Sequence, residues 1–233
     1  MVDISVKTFV RYNAGMIQDR TSDEWKSIHI KKIIKGECLN PKAKFTWSCL
    51  NGATRSIIPS LTSVFLNDLY SRFANQIMTD FGTNLALVPV PNGVADANYP
   101  DNYRTLELAK GIASASNSNL EALDALRWKQ AAGQAHKNEK RRDVDQYISN
   151  LIVSAKTTKP IVLFDDVITS GSQLASAKIA LEEAGLTVVG LYAVMDVLDE
   201  NVRGSAPAWI TVERSPLRIT DLFDDFGPIE ISL

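Results

Sequence analysis

Residues 160–173, Pro-Ile-Val-Leu-Phe-Asp-Asp-Val-Ile-Thr-Ser-Gly-Ser-Gln, restrict the fold more than any other stretch of the chain. Ile161 to Phe164 are four consecutive large apolar residues, the composition of a strand buried on both faces. The run meets two adjacent carboxylates, Asp165 and Asp166, followed by Val167 and Ile168. Thr169, Ser170, Gly171 and Ser172 then form a turn of small residues, and Gln173 to Ala184 reads as a helix closed by Gly185. This combination suits a phosphorylated polyol. Amides of the turn and the helix end can hold phosphate, while the carboxylates accept hydrogen bonds from sugar hydroxyls. An ordinary strand-to-helix turn, in which Asp and Ser merely cap, has the same pattern. A P-loop ATPase does not fit, since the chain contains no Gly-x-x-x-x-Gly-Lys-(Ser/Thr). Nor does a receiver domain, because about 160 residues precede the acids.

Around this stretch, apolar runs alternate with helical periodicity. Ile4, Val6, Thr8 and Val10 alternate with other residues, and Ser27 to Ile34 sets isoleucines among lysines, which predicts two strands of a small N-terminal sheet. Ser60 to Phe81 carries Val64, Phe65, Leu69, Phe73, Ile77 and Met78 at helical spacing and stops at Gly82. Asn84 to Val90 predicts a buried strand, closed by Pro89-Val90-Pro91-Asn92-Gly93. Tyr103 to Ala115 and Asp145 to Lys156 predict helices, and Thr187 to Val197 and Trp209 to Glu213 predict strands. The alternation implies a doubly wound, mainly parallel α/β sheet, with its ligand at the carboxyl ends of the strands.

Composition narrows the classes. A net charge of −2 over 233 residues gives no global attraction to nucleic acid or an anionic membrane. Cys38 and Cys49 are too few for a four-cysteine zinc site, and reduced thiols in a cytoplasmic protein are expected. The amino terminus lacks the apolar region of a signal peptide, and no run of about 18 apolar residues occurs. Lys129, Gln130, Gln134, His136, Lys137, Lys140, Arg141 and Arg142 crowd one polar window. A loop that opens for a ligand needs such a weak apolar face, though a solvated helix reads the same. With Trp128 as the only nearby aromatic, this window is a poor nucleic-acid surface. His29, flanked by isoleucines, is read as structural, and His136 as the one histidine suited to acid–base chemistry.

The 160–173 stretch resembles the phosphoribosyl pyrophosphate (PRPP) signature of type I phosphoribosyltransferases: apolar residues, two acids, two apolar residues, then Thr-(Ser/Thr)-Gly. The resemblance implies ribose-hydroxyl contacts for Asp165 and Asp166. It places 5′-phosphate contacts in the loop that follows, Thr169, Ser170, Gly171, Ser172 and Gln173, after the intervening Val167 and Ile168. It also implies Mg²⁺ near Asp165 and Asp166, bound through ribose hydroxyls or water, and a small nitrogen-containing acceptor. A homodimer is compatible with it. Leu87-Val88-Pro89-Val90-Pro91 and Tyr103 to Ala109 are similar to the corresponding part of the ComF-like branch. That likeness assigns pyrophosphate contacts to Asn92, Gly93 and Arg104. The chain departs from the branch in lacking its amino-terminal four-cysteine module, and Pro100-Asp101-Asn102-Tyr103-Arg104 replaces its Arg-Gly-Phe-Asn-Gln run. The basic window occupies the family's closing loop, so Lys137, Arg141, Arg142 and His136 are the candidates to act on pyrophosphate. The expected organisation is a β-rich hood over residues 1–58 and a core over 59–233, with a flexible loop at about 127–142. The function that follows is phosphoribosyl transfer from PRPP to a nitrogen nucleophile. The alternatives are a non-catalytic PRPP or nucleotide sensor and a ComF-like DNA-uptake accessory protein.

Overall fold

The computed structural model describes residues 2–15, 18–93, 95–98, 103–130, 143–154 and 156–218. In chain order its elements are β1 (Ile4–Asn13), α1 (Ser22–Ile34), β2 (Phe45–Ser48), β3 (Thr54–Ile57), a 3₁₀ turn (Pro59–Leu61) and α2 (Thr62–Phe81). Next come β4 (Leu85–Pro89), α3 (Arg104–Ala115), β5 (Leu120–Ala122), β6 (Leu126–Trp128), α4 (Val144–Asn150) and β7 (Leu151–Val153). The chain continues through β8 (Ile161–Ile168), α5 (Ser172–Glu183), β9 (Val188–Leu198) and β10 (Ile210–Arg214).

Six strands form the central sheet in the order β10-β1-β9-β8-β4-β5. All neighbours in it are parallel except the β1–β10 pair at one edge. The mainly parallel α/β class expected from the sequence is therefore present. β8 lies inside the sheet between β4 and β9, and helices cover both faces. Val162 and Phe164 belong to the core shared with α1, α2 and α3, whereas Ile161 and Leu163 belong to the core under α5. This alternation is the period of two of a strand applied to an apolar run. Among the described residues, no helix is long and apolar enough to cross a membrane.

The N-terminal expectation needs correction at two points. β1 is a strand of the central sheet, with parallel pairing to β9 from Lys7 to Asn13. Residues 27–34, read as a strand, are the body of α1. Its start is fixed by a capping box: the Thr21 hydroxyl accepts from Glu24 N at 3.2 Å, and Glu24 Oε2 accepts from Thr21 N at 2.7 Å. Ser27, Ile30, Ile33 and Ile34 then bury one helical stripe. His29 sits on this helix, its ring stacked between Trp25 and Phe45. The strand read at Ile4 to Val10 is present as β1, and β2 and β3 add a two-stranded antiparallel ribbon before residue 58. Residues 145–156 also divide, with α4 ending at Asn150 and β7 following at once. Leu151 pairs with Trp128 in an antiparallel ladder instead of continuing the helix.

Candidate functional site

β8 does not stop at the acids. It carries them inside the strand, where parallel pairing with β9 continues through Asp165–Ala193 to Ile168–Asp196. Both carboxylates are buried, with Asp165 7% and Asp166 4% exposed. Successive strand residues point to opposite faces, and the pair divides accordingly. Asp165 lines a small open cleft together with Thr169, Gly171, Ser172 and, from α4, Tyr147. Asp166 turns the other way, to the C-terminus of α1, where Lys35 Nζ lies 2.8 Å from Oδ1 and 2.7 Å from Oδ2.

Electrostatics separates the two acids further. Burial, and then repulsion from Asp166, push the Asp165 carboxyl up to about 8, against the opposing pull of Lys35 and of the Asp166 N–H, which donates to Asp165 Oδ1 at 2.7 Å. Lys35 keeps its proton more firmly than an ordinary lysine. Desolvation works against its charge, but the carboxylates of Asp166 and Asp165 outweigh it. Asp166 is thus paired with an internal cation, and its neighbour Asp165 holds a proton into the neutral range.

Beyond Ile168 the chain turns through Thr169 and Ser170 into Gly171, which adopts φ +80 and stands as the N-cap of α5 without a side-chain cap. Ser170 Oγ lies 3.0 Å from Ser172 Oγ and accepts from Ser172 N at 3.4 Å. A Cβ at position 171 would stand 3.0 Å from Ile4 Cδ1 and 3.1 Å from Arg214 Cβ. Glycine is therefore required both by its dihedral angle and by the close approach of β1 and β10. Arg214 also fixes the turn from outside, its Nε donating to the Thr169 carbonyl at 3.0 Å and its Nη2 to the buried Asp196 carboxylate. Val167, Ile168 and Gln173 complete the cavity lining, so the turn and the first turn of α5 converge on one space. A helix N-terminus whose N-cap is a glycine in a left-handed turn attracts an anion.

The first loop leaves the carboxyl end of β4, next to β8. Its path is set by Trp128, whose indole N–H donates to the carbonyls of Pro91 at 3.1 Å and Asn92 at 2.9 Å. Asn92 Oδ1 is buried with no hydrogen-bond partner among the described residues. Gly93 occupies the turn that follows. Arg104 does not join Asn92 and Gly93. It reaches across to the end of α1, donating from Nε to Ile34 O at 2.6 Å and from Nη2 to Ile33 O at 2.7 Å, while Nη1 pairs with Glu107. Of the expected flexible window, residues 127–130 are held in place. Arg127 and Trp128 lie in β6 against β7, and Lys129 N donates to Asn150 O at 2.7 Å. His136, Lys137, Arg141 and Arg142 lie outside the described residues.

Sequence reasoning missed Lys35, Arg214, Asp196 and Tyr147. Lys35 is 131 positions from its partner, and no local pattern connects the two. The Thr21–Glu24 capping box was a readable signal for α1, and through α1 for a basic residue at a helix C-terminus.

No family model and no curated protein matches the chain. Solved structures do. The chain is similar to an adenine phosphoribosyltransferase at 16% identity and a TM-score of 0.40, covering 73% of this chain and 90% of that one. It is similar to the UMP synthase of Leishmania donovani at 16% identity and a TM-score of 0.35, covering 73% of this chain but only 31% of that protein. A hypoxanthine phosphoribosyltransferase from Staphylococcus aureus gives 13% identity and a TM-score of 0.33, with 56% of this chain and 62% of that chain covered.

Proposed function

We propose that the chain is a phosphoribosyltransferase, moving the 5-phosphoribosyl group of PRPP to a nitrogen nucleophile with release of pyrophosphate. The observation that carries this reading is the junction of β8 and α5. One buried acid, Asp165, a glycine turn at φ +80 and the start of α5 line one cavity there, and the second buried acid, Asp166, stands next to it in the strand, paired with Lys35. The α5 amides and the turn hydroxyls suit a 5′-phosphate, and Asp165 and Asp166 suit the 2′- and 3′-hydroxyls of a ribose lying over the strand end. The Asn92–Gly93 loop, beside them at the end of β4, suits the pyrophosphate, with Asn92 Oδ1 available to accept from a ligand hydroxyl or water. A neutral Asp165 can donate to a ribose oxygen as well as accept. Mg²⁺ prefers hard oxygen ligands and keeps substrate oxygens and water in its shell. Asp165, which faces the cavity, could hold such an ion through water or substrate oxygens, with Asp166 joining once Lys35 releases it, and the ion would neutralise charge on the leaving diphosphate. The chain's own tasks are to hold the phosphate, orient the ribose and keep water from the reacting carbon.

Lys35 on Asp166 favours one second reading, a regulator that binds a ribose phosphate without turning it over. The two readings separate by experiment. A screen of nucleobases and amines with PRPP and Mg²⁺ is expected to release pyrophosphate with at least one acceptor. PRPP with Mg²⁺ is expected to bind more tightly than ribose 5-phosphate. Equal affinity for the two, with no pyrophosphate release, would favour the regulator.

A further inference from the structure

Lys35 stands where α1 ends. Its backbone is fixed: its N–H donates to Lys31 O at 3.0 Å, and the two preceding carbonyls, of Ile33 and Ile34, are bound by Arg104. Its side chain is not enclosed. It is 36% exposed, whereas the Asp166 side chain it holds is 5% exposed. A long flexible stem on a fixed backbone can swing to water, but the carboxylate cannot. Glu37, a further acid near this ammonium, is already paired with Lys31 at 3.2 Å, and Asp166 is the carboxylate in ion-pair contact with it. Without that ammonium the buried Asp166 carboxylate would be an attractor for a cation, because a charge costs dearly to bury unpaired.

We propose that Lys35 is an internal counter-ion that reserves Asp166, keeping free divalent metal off the acid pair until a sugar phosphate arrives, and then gives the carboxylate up. Lys35 is thus a positioning residue that sets the order of binding. Metal enters together with the ribose phosphate and not before it, and the released ammonium adds a positive charge beside the bound anion. The inference rests on the acid pair being the ribose site, as proposed above, but its test does not need turnover.

Manganese, whose free ion is counted by electron paramagnetic resonance, is titrated into ligand-free protein in mildly alkaline buffer. The unaltered chain and Lys35→Arg are expected to bind it weakly. Lys35→Met, and independently Lys35→Gln, are expected to bind it at least tenfold more tightly. Adding Asp166→Asn to either is expected to abolish the gain, which assigns it to this carboxylate. Circular dichroism identifies the variants that fold, and either neutral substitution suffices. Tight manganese binding by the unaltered protein, or no gain in a folded neutral variant, would overturn the proposal. Failure of PRPP to bind the unaltered chain would instead count against the phosphoribosyltransferase reading, and the two results are read from separate titrations.

Discussion

Asp165 and Asp166 are chemically identical and adjacent, yet the strand sends them to different surroundings. Asp165 faces the α5 cavity and Asp166 faces Lys35. Asp165 carries the greater folding cost because its ordinary value near 4 is raised to about 8 by burial and its neighbour. A carboxyl raised in the folded state binds more protons there than in the unfolded chain. Stability is therefore greatest below the unfolded value and falls as pH rises from about 4 towards 8. Asp165→Asn removes that loss. Thermal melts should show the variant gaining stability over the parent at pH 8, with a smaller gain at pH 5; equal gains would mean that the acid is not strained by its charge. The same substitution should weaken PRPP binding at least tenfold, roughly 1.4 kcal/mol, because an NH2 donor replaces one carboxyl oxygen and the charge that a ribose hydroxyl and a cation would meet is lost. Calorimetry reads this directly, and unchanged affinity would remove Asp165 from the site.

Elements whose apolar residues follow a single period are the ones legible in the sequence. β4, β8, α2, α3 and α5 occur within a few residues of where their patterns place them, since burial on two faces or on one stripe leaves an unambiguous trace. α1 does not, because isoleucines at 28, 30, 33 and 34 satisfy an alternating and a helical spacing over so short a window. There the capping box decides, worth roughly 1 kcal/mol at a helix start. The acid pair and the Thr169–Ser172 turn were legible because they are local. Arg214 was not, because its role exists only once β10 lies along β1 and brings it to Thr169. This makes the turn dependent on an edge strand. Arg214→Ala leaves the Thr169 carbonyl without that donor and takes the nearer of two cations from Asp196, at a cost of about 1–3 kcal/mol. Ribose 5-phosphate affinity should fall with it. Gly171→Ala should do the same by a different route, a left-handed φ and a Cβ crowded by Ile4 and Arg214, costing about 1–2 kcal/mol. Denaturant melts with ribose 5-phosphate titrations check both, and a phosphate affinity that survives either change would show that the turn holds its shape unaided.

On the scale of the whole molecule, the layer formed by α1 and the β2–β3 ribbon is joined to the sheet beside the site by few polar links. Lys35 to Asp166 is one, and Arg104 to the last carbonyls of α1 is another. The guanidinium satisfies acceptors that a helix C-terminus leaves open and brings a positive charge to its negative end. Arg104 thus holds the backbone from which Lys35 extends. Two roles for Arg104 now make opposite predictions. If it binds pyrophosphate, Arg104→Ala should cost PRPP affinity while leaving ribose 5-phosphate affinity and stability nearly intact. If it latches α1 to α3, the variant should lose about 1–3 kcal/mol of stability, and the preference for PRPP over ribose 5-phosphate should persist. Its three hydrogen bonds all go to protein acceptors, so the second outcome is expected. Chemical denaturation together with paired titrations of the two ligands decides it: a stable variant whose preference for PRPP has collapsed would return Arg104 to the pyrophosphate site.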